Sequence, residues 1–339
     1  MRLIKTEDAV GHVLCHDMTQ IIKDQYKDAR FRKGHVVTEE DIPVLLSMGK
    51  EHLYVWEMTS GMVHENDAAE RLLALCGQEN MIRSGVKEGK IELKAACDGV
   101  FLVDSARLVA VNSQDEVMIA TRKGGMAVRE GDKLAGMRVI PLIIEEEKLR
   151  KAEQAAGDKP LLSLKPYVRK TACIVATGGE VKKGLIKDTF TPVVIDKLKT
   201  YGIETLEVVY SGDGVENVRD AVLTMREKKP DMILCTGGMS VDPDDNTPGG
   251  IKAAGANIIA YGAPVLPGAM FLLGYFDDGM PVMGLPGCVM YAGATVFDLV
   301  LPKIAADVPV TRADIAALGE GGLCLGCKPC HYPICPFGK

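Results

Sequence analysis

The sequence has no excess of positively charged residues, and its first residues contain no continuous apolar run. The formal net charge is -6 over 339 residues, so there is no sign of the clustered lysine and arginine that a nucleic-acid-binding protein needs. Glu7 and Asp8 interrupt the first residues before the apolar core of an export signal could form. We therefore expect a cytoplasmic protein that does not bind nucleic acid.

The sequence also lacks a segment suited to cross a membrane. Residues 258–276 carry no charge, but three glycines and two prolines interrupt them, which is too many helix breakers for a membrane helix without support from its neighbours. We interpret this segment as buried strands and turns. With 47% apolar and 25% charged residues, the composition is that of a soluble globular protein, and the length allows two or three domains.

Residues 166–306 alternate between apolar runs and helical patterns. The predicted strands cover 172–176, 206–210, 232–235, 258–261 and 281–285. The predicted helices cover 191–201, 215–228 and the residues from Pro286-Gly287 to about 305. A further helix is expected to begin at Thr247-Pro248, with Thr247 as its N-cap. This alternation predicts an α/β domain over 166–310, with a doubly wound, mostly parallel sheet.

The first 160 residues have a different pattern, typical of a smaller β-rich or mixed region. Helices are predicted at 39–48 and 65–76, and alternating half-buried strands at 90–94 and 116–120. The charged run at 145–154 predicts an exposed helix, which leads into a linker at 157–160.

Two of the predicted strands end in the same Thr-Gly-Gly sequence. The first continues as Thr177-Gly178-Gly179-Glu180, and the second as Thr236-Gly237-Gly238 before an acidic loop. Ligands of open α/β sheets lie outside the carboxyl ends of the strands. Glycine there lets backbone amides approach a phosphate closely, and the carboxylates that follow could hold Mg²⁺.

These turns and the acidic loop resemble a known family. The run from Thr236 to Gly249 resembles the signature loop of the molybdopterin-binding domain, which molybdopterin adenylyltransferases and molybdopterin molybdotransferases share. Further matches are Thr177-Gly-Gly-Glu180 with Asp188, Asp213 ahead of a helix, Pro267-Gly268, and Gly284-Leu-Pro-Gly287. Together they cover about 170–305. Looser matches at 10–17 and 31–46 are similar to parts of the molybdotransferase.

The resemblance implies roles for particular residues. Asp213 and Asp245 match the aspartates that the family uses for catalysis and metal handling. The residues implied to bind the cofactor are Thr177, Gly178, Gly179, Glu180, Asp188, Thr236, Gly237, Gly238, Ser240, Pro267, Gly268, Gly284, Pro286 and Gly287. From the residues alone, Asp242 and Asp244 could equally be turn formers that bond their own backbone, and Ser240 could bond either the loop or a phosphate.

The function implied by the resemblance lies in molybdenum cofactor biosynthesis, with molybdopterin or adenylated molybdopterin bound together with Mg²⁺. We expect a molybdotransferase that inserts molybdate. The alternatives are a molybdopterin adenylyltransferase and a non-catalytic carrier or sensor of redox state or iron. The resemblance also implies a homo-oligomer, and a molybdo- or tungstoenzyme is a candidate partner. Leu266 and Ala269 stand where the family usually has cations, and Cys288-Val289 replaces its Asn-Pro, which favours the non-catalytic alternative.

Four of the ten cysteines are crowded into the C-terminal residues 320–339. Cys324, Cys327, Cys330 and Cys335 have the spacing Cys-x₂-Cys-x₂-Cys-x₄-Cys-Pro, one residue longer at the last gap than the bacterial ferredoxin run. In a cytosolic protein, clustered cysteines indicate metal rather than disulfides. Four thiolates, with His331 as a fifth candidate, suit a [4Fe–4S] cluster or Zn²⁺. The short spacing favours the cluster, because zinc sites more often pair two Cys-x₂-Cys knuckles across a longer loop.

Overall fold

The computed structural model describes residues 2–22, 26–55, 61–179, 185, 187–240, 242 and 245–339. Contacts between residues divide the chain into two compact units. The first unit comprises Met1–Ala96, Val103–Gly124 and Gly131–Ser163, and the second comprises Cys97–Leu102, Gly125–Glu130 and Leu164–Lys339. Two short pieces of the first half of the sequence therefore belong to the second unit.

Short strands and helices alternate irregularly up to residue 166. In chain order they are β1 (Arg2–Lys5), β2 (Met18–Ile22), β3 (Tyr26–Phe31), α1 (Asp41–Ser47), β4 (His52–Val55), β5 (Met62–His64), α2 (Glu65–Cys76), β6 (Met81–Arg83), β7 (Ile91–Ala95), β8 (Gly99–Val103), α3 (Ser105–Asn112), β9 (Val117–Thr121), β10 (Met126–Val128), β11 (Lys133–Val139), β12 (Ile143–Glu145), α4 (Glu146–Ala156) and β13 (Leu162–Pro166). The two predicted helices and the two predicted alternating strands are confirmed to within two residues at each end.

The first unit is built from small antiparallel sheets. They are the four-stranded sheet β6-β7-β11-β9 and the pairs β1-β4, β2-β3 and β5-β12. One small core in this unit includes Leu14, Phe31, Leu45 and Leu53. The sheet β10-β8-β13 lies largely in the second unit.

The charged run predicted as an exposed helix is α4, but one of its faces is buried. Leu149, Ala152 and Ala156 are fully buried, because spacings of three and four residues place them on one side of a helix. On the polar side, Glu153 accepts two hydrogen bonds from Arg71 of α2, at 2.7 and 2.9 Å. Because most residues of the run are charged, the sequence pattern did not indicate that one face of the helix is buried.

The second unit continues with regular alternation of strand and helix. Its elements are β14 (Thr171–Thr177), α5 (Phe190–Lys199), β15 (Glu204–Ser211), α6 (Val215–Glu227), β16 (Met232–Thr236), α7 (Thr247–Ala253), β17 (Asn257–Tyr261), β18 (Leu272–Tyr275), β19 (Pro281–Leu285), α8 (Val296–Ala305) and α9 (Arg312–Ala317). A 3₁₀ turn over Gly287–Met290 separates β19 from α8.

A six-stranded sheet in the order β15-β14-β16-β19-β18-β17 forms the centre of this unit. The first four strands are parallel, which confirms the predicted α/β class with a mostly parallel sheet. β18 runs antiparallel to both of its neighbours, β17 and β19. No crossover helix joins these strands, so the chain reverses its direction directly from one to the next. The uncharged segment 258–276 thus consists of strands and turns, and no helix in the described residues is long and apolar enough to span a membrane.

Both faces of the sheet are covered. Along β14, Ala172 and Ile174 belong to one core, whereas Cys173 and Val175 belong to the other. The first core also contains residues of α5 and α8, and the second contains residues of α6 and α7. Continuous apolar strands are therefore explained by burial on two sides.

Two predicted helix boundaries are wrong in detail. The helix expected to run from Pro286-Gly287 to about 305 is interrupted, because Thr295 and Asp298 form a capping box that starts α8 anew. At α7, Asn246 occupies the N-cap position and Thr247 is the first helical residue. The hydroxyl of Thr247 donates instead to the carbonyl oxygen of Gly237, at 2.8 Å.

We predict that Thr295→Val lowers the free energy of unfolding of the second unit by about 1–2 kcal/mol. Thr295 is fully buried, and valine cannot accept the hydrogen bond from the amide of Phe297. The matched control is Thr311→Val, which removes the same kind of capping box from an exposed position. This substitution should lower the free energy of unfolding by only about 0.5 kcal/mol. Urea unfolding followed by circular dichroism measures both, and equal small losses would contradict the prediction.

Candidate functional site

The carboxyl ends of four parallel strands lie side by side at one edge of the sheet. Thr177 of β14 pairs with Ser211 of β15, Ala176 pairs with Thr236 of β16, and Thr236 pairs with Leu285 of β19. Each strand is followed at once by a turn that contains glycine, at 212–214, 178–179, 237–238 and 286–287. We call this edge, with its turns, the strand-end site. It is the position at which open α/β sheets bind ligands.

The two Thr-Gly-Gly turns are joined by hydroxyl groups. The Thr177 hydroxyl donates to the carbonyl oxygen of Thr236 at 3.0 Å and lies 3.2 Å from the Thr247 hydroxyl. Thr247 in turn donates to Gly237, and its amide donates to the carbonyl oxygen of Gly238 at 3.1 Å. All three threonines are buried. The start of α7 is thereby fixed against both strand ends.

Gly237 is required by this arrangement. Its φ is 82°, a left-handed conformation that favours glycine, and a Cβ there would overlap the carbonyl oxygen of Thr177. Gly284, on β19, has a related role, since a Cβ would stand 2.5 Å from the Sδ of Met239. Both glycines let the loop after β16 pack closely on its neighbours.

Asp213 is held directly beside the first glycine turn. Its Oδ2 accepts a hydrogen bond from the amide of Gly179 at 2.9 Å, and its carbonyl oxygen accepts one from the Asn217 side chain at 2.6 Å. The amide of Gly178 donates to the carbonyl oxygen of Ser211 at 3.3 Å. Asp213 and the Gly178-Gly179 turn, predicted from separate parts of the sequence, are therefore in contact.

Asp245 takes part in a turn of the acidic loop. Its amide donates to the carbonyl oxygen of Asp242 at 2.9 Å, and its Oδ2 accepts from the amide of Asp242 at 3.3 Å. The turn-forming alternative considered for Asp242 is compatible with this geometry. Glu180 and Asp244 lie outside the described residues.

Asp188 caps the start of α5. Its Oδ1 accepts from the amides of Phe190 and Thr191 at 2.9 and 3.0 Å, and its Oδ2 accepts from the Tyr210 hydroxyl at 3.2 Å. Burial alone would raise the pKa of Asp188, but these hydrogen bonds stabilise the carboxylate and hold its pKa below the usual value. Asp188 is thus ionised near neutral pH.

Two tyrosines at the ends of strands were not identified from the sequence. Tyr210, near the end of β15, binds Asp188, and Tyr261, the last residue of β17, donates to the carbonyl oxygens of Met239 and Ser240 at 3.1 and 3.4 Å. Burial raises the pKa of Tyr261, and the charge of Asp245 adds to the effect. The signal available in the sequence was that each tyrosine is the last residue of a predicted strand, at 206–210 and at 258–261.

Four more of the predicted cofactor residues, Pro267, Gly268, Pro286 and Gly287, lie in the segments that lead to the start of α8. The carbonyl oxygen of Pro267 accepts from the amide of Val296 at 3.3 Å, and a Cβ on Gly268 would collide with Val296. Pro286 and Gly287 lead into the 3₁₀ turn, where Gly287 has open space around it. These residues are positioned by the start of α8.

The four cysteines predicted as metal ligands differ in their exposure. All four C-terminal cysteines are free thiols; Cys324 and Cys335 are half-buried, and Cys327 and Cys330 are exposed. Among the described residues, no group of three or more His, Cys, Asp or Glu side chains is placed to hold a metal ion. The metal assignments therefore stay predictions.

The part of the chain that contains the strand-end site matches a known protein family. Residues 173–306 match the family described as "Probable molybdopterin binding domain". This segment belongs to the molybdopterin-binding domain family. Residues 3–57 match a family described as a domain of unknown function.

Curated relatives share only part of this segment. A CinA-like protein of Mycobacterium tuberculosis is 33% identical over 76 residues, which are 22% of this chain and 18% of the relative. A CinA-like protein of Petrotoga mobilis is 32% identical over 76 residues, or 22% of this chain and 19% of the relative. The chain thus spans about a fifth of the length of the curated relatives that it matches.

Solved structures related to molybdenum cofactor biosynthesis are similar over about two fifths of the chain. A putative molybdenum cofactor biosynthesis protein of Corynebacterium diphtheriae is 14% identical, with 42% of this chain and 100% of that chain covered at a TM-score of 0.34. The molybdopterin biosynthesis enzyme MoaB of Thermus thermophilus is 17% identical, with 41% and 98% covered at a TM-score of 0.35.

We predict that Thr247→Val loosens the loop after β16. The variant loses the hydroxyl that bridges Gly237 and Thr177, so the free energy of unfolding should fall by about 1–3 kcal/mol. Amide hydrogen exchange over 237–240 should become faster. The matched control is Thr224→Val, whose hydroxyl donates to Asp220 within the exposed face of α6 and whose loss should cost no more than about 0.5 kcal/mol. Equal effects of the two substitutions would disprove the bridging role.

Proposed function

We propose that the strand-end site binds molybdopterin, or adenylated molybdopterin, and that the chain acts as a molybdopterin molybdotransferase that inserts molybdate. The observation that carries the proposal is the joining of two Thr-Gly-Gly turns and Asp213 at one sheet edge, within the segment that matches the molybdopterin-binding family. Molybdopterin carries a phosphate, and glycine turns at strand ends receive phosphates through backbone amides.

The carboxylates at this edge support a role for Mg²⁺. Asp213, Asp245 and Asp188 each accept a hydrogen bond from a backbone amide, so their charges are held in fixed positions. Negative charges would repel a phosphate unless a cation offset them. Mg²⁺ is commonly bound by one or two carboxylates together with substrate phosphates and water, so Asp213 and Asp245 suffice as protein ligands without a preformed cage.

The chemistry asked of these residues is mainly positioning. Mg²⁺, when bound, would neutralise the charge of the phosphate and of the oxyanion that is transferred. Asp213 would orient the cation from the side of the first turn, because the amide of Gly179 holds its Oδ2 in place. Asp245 would do so from the acidic loop, and Tyr261 would hold that loop through Met239 and Ser240.

A second candidate is a non-catalytic carrier of the same cofactor. Leu266 stands beside Pro267, at a place where the resemblance implies a cation, and it is 57% exposed. An exposed apolar side chain cannot offset the charge of a phosphate, so Leu266 favours binding of the cofactor without turnover. The adenylyltransferase activity is a third outcome of the same experiment.

The test is incubation of the purified chain with molybdate and Mg²⁺, together with either adenylated molybdopterin or molybdopterin and ATP. Release of pyrophosphate reports adenylation, whereas release of AMP and formation of the molybdenum cofactor report insertion of the metal. We expect cofactor formation in the wild type, and a fall of about 100-fold or more in Asp213→Asn and Asp245→Asn. The matched control is Asp196→Asn, at an exposed site on α5, which should leave the rate unchanged.

The outcomes separate the candidates. Tight binding of molybdopterin without turnover would establish the carrier and contradict the enzyme. Adenylation without metal insertion would contradict the molybdotransferase. Full activity in both aspartate variants would refute the roles of Asp213 and Asp245.

A further inference from the structure

The C-terminal tail, residues 320–339, is built into the core of the second unit. Phe337 is only 2% exposed and is part of the core that α5 and α8 share, and Tyr332, Cys324 and Cys335 pack against that core. The Tyr332 hydroxyl donates to the carbonyl oxygen of Asp298 at 3.0 Å. The tail is therefore an ordered part of the domain.

Its two ends are also tied to each other. The amide of Gly338 donates to the carbonyl oxygen of Gly321 at 2.9 Å, so residues 321–338 form a closed loop that contains all four cysteines. Cys324 and Cys335, near the two ends, lie against the same core. Because the fold has already closed this loop, bringing the thiols together costs less chain entropy than it would in a free tail.

The two middle cysteines supply the exposed half of a ligand set. Cys327 and Cys330 are exposed, and each is three residues from the preceding cysteine, a spacing that lets neighbouring thiolates share one metal. Thiolates select zinc or iron–sulfur clusters over hard cations such as Mg²⁺. The tail thus differs in chemistry from the oxygen-rich strand-end site.

We propose that Cys324, Cys327, Cys330 and Cys335 bind a single thiolate-ligated metal centre, and that its binding orders two loops next to the strand-end site, at 262–268 and 288–295. The half-buried pair remains in place on the core. Cys327 and Cys330 move inward to complete the set.

The link to the strand-end site is made by direct contacts. The amide of Leu266 donates to the carbonyl oxygen of Gly322, and the amide of Cys324 donates to the carbonyl oxygen of Leu266, both at 2.8 Å. Leu266 immediately precedes the predicted cofactor residues Pro267 and Gly268. A metal ligated by Cys324 would therefore fix the segment 322–324, which holds this loop through backbone hydrogen bonds.

A second contact involves the loop between the 3₁₀ turn and α8. A Cβ placed on Gly293 would lie 2.8 Å from the Sγ of Cys330, so the thiol packs directly on Gly293. The carbonyl oxygen of Gly293 also accepts from Lys197 at 3.4 Å. A metal centre that holds Cys330 would therefore fix a side chain against which Gly293 packs, just after the Gly284-Leu-Pro-Gly287 segment. Any effect on molybdopterin binding rests on the proposed function, whereas the metal centre itself does not.

The first test is metal content after anaerobic purification, and after reconstitution with Zn²⁺ or with Fe²⁺ and sulfide. We expect either about one Zn per chain without colour or about four Fe with four sulfides and a visible absorption band. Cys327→Ser/Cys330→Ser should lose the metal and keep the fold, because both side chains are exposed. Cys97→Ser, half-buried and outside the tail, should retain the metal.

The proposal fails if the wild type holds no stoichiometric metal under either condition, or if the double variant holds as much as Cys97→Ser. Iodoacetamide labelling gives a second reading that does not depend on the identity of the metal. Cys327 and Cys330 should react quickly in the metal-free chain and be protected in the loaded chain.

The second test is amide hydrogen exchange in loaded and metal-free protein. We expect slower exchange over 262–268 and 288–295 on loading of the wild type, and no change when the same metal is added to the double variant. Stoichiometric metal with unchanged exchange in both segments would overturn the link between the tail and the strand-end site. Neither test uses molybdopterin, so failure of the proposed function would leave both readable.

Discussion

The register of β14 against β15 and β16 places Thr177 beside Ser211 and Ala176 beside Thr236, and the rest of the site depends on it. A slip by one residue would exchange the two faces of β14. Ile174 and Val175 are both fully buried, in different cores, so packing on both sides opposes such a slip. The glycine turns that follow the strands consequently lie at one edge of the sheet.

At that edge, backbone amides rather than side-chain cations organise the acidic groups. Gly179 binds Asp213, and Phe190 and Thr191 bind Asp188. Amide dipoles fixed in this way stabilise carboxylates without a counter-ion. The edge therefore combines fixed negative charge with glycine turns, which is why we propose that it binds a cation and a phosphate together. The cysteine tail contacts the same region through Leu266 and Gly293, with a different ligand chemistry.

Local sequence patterns predicted the parallel strands and most helices, because these depend on apolar periodicity and on breakers such as glycine. The contact between Asp213 and Gly179 could be anticipated only as proximity, from the rule that parallel strands end at one edge. The antiparallel pairing of β17 with β18, the interruption before Thr295 and the roles of Tyr210 and Tyr261 could not be predicted. Each depends on partners distant in sequence, such as the carbonyl oxygen of Met239 for Tyr261. The bond between Gly321 and Gly338 that closes the tail is of the same kind.

The most direct test of the strand-end site is a crystal structure of the chain with molybdopterin and Mg²⁺ bound. We expect the phosphate of the ligand within about 3 Å of backbone amides in the turn at 237–238, with Mg²⁺ between it and Asp213 or Asp245. Molybdopterin bound elsewhere on the chain, with this turn unchanged and unoccupied, would contradict the assignment of the site.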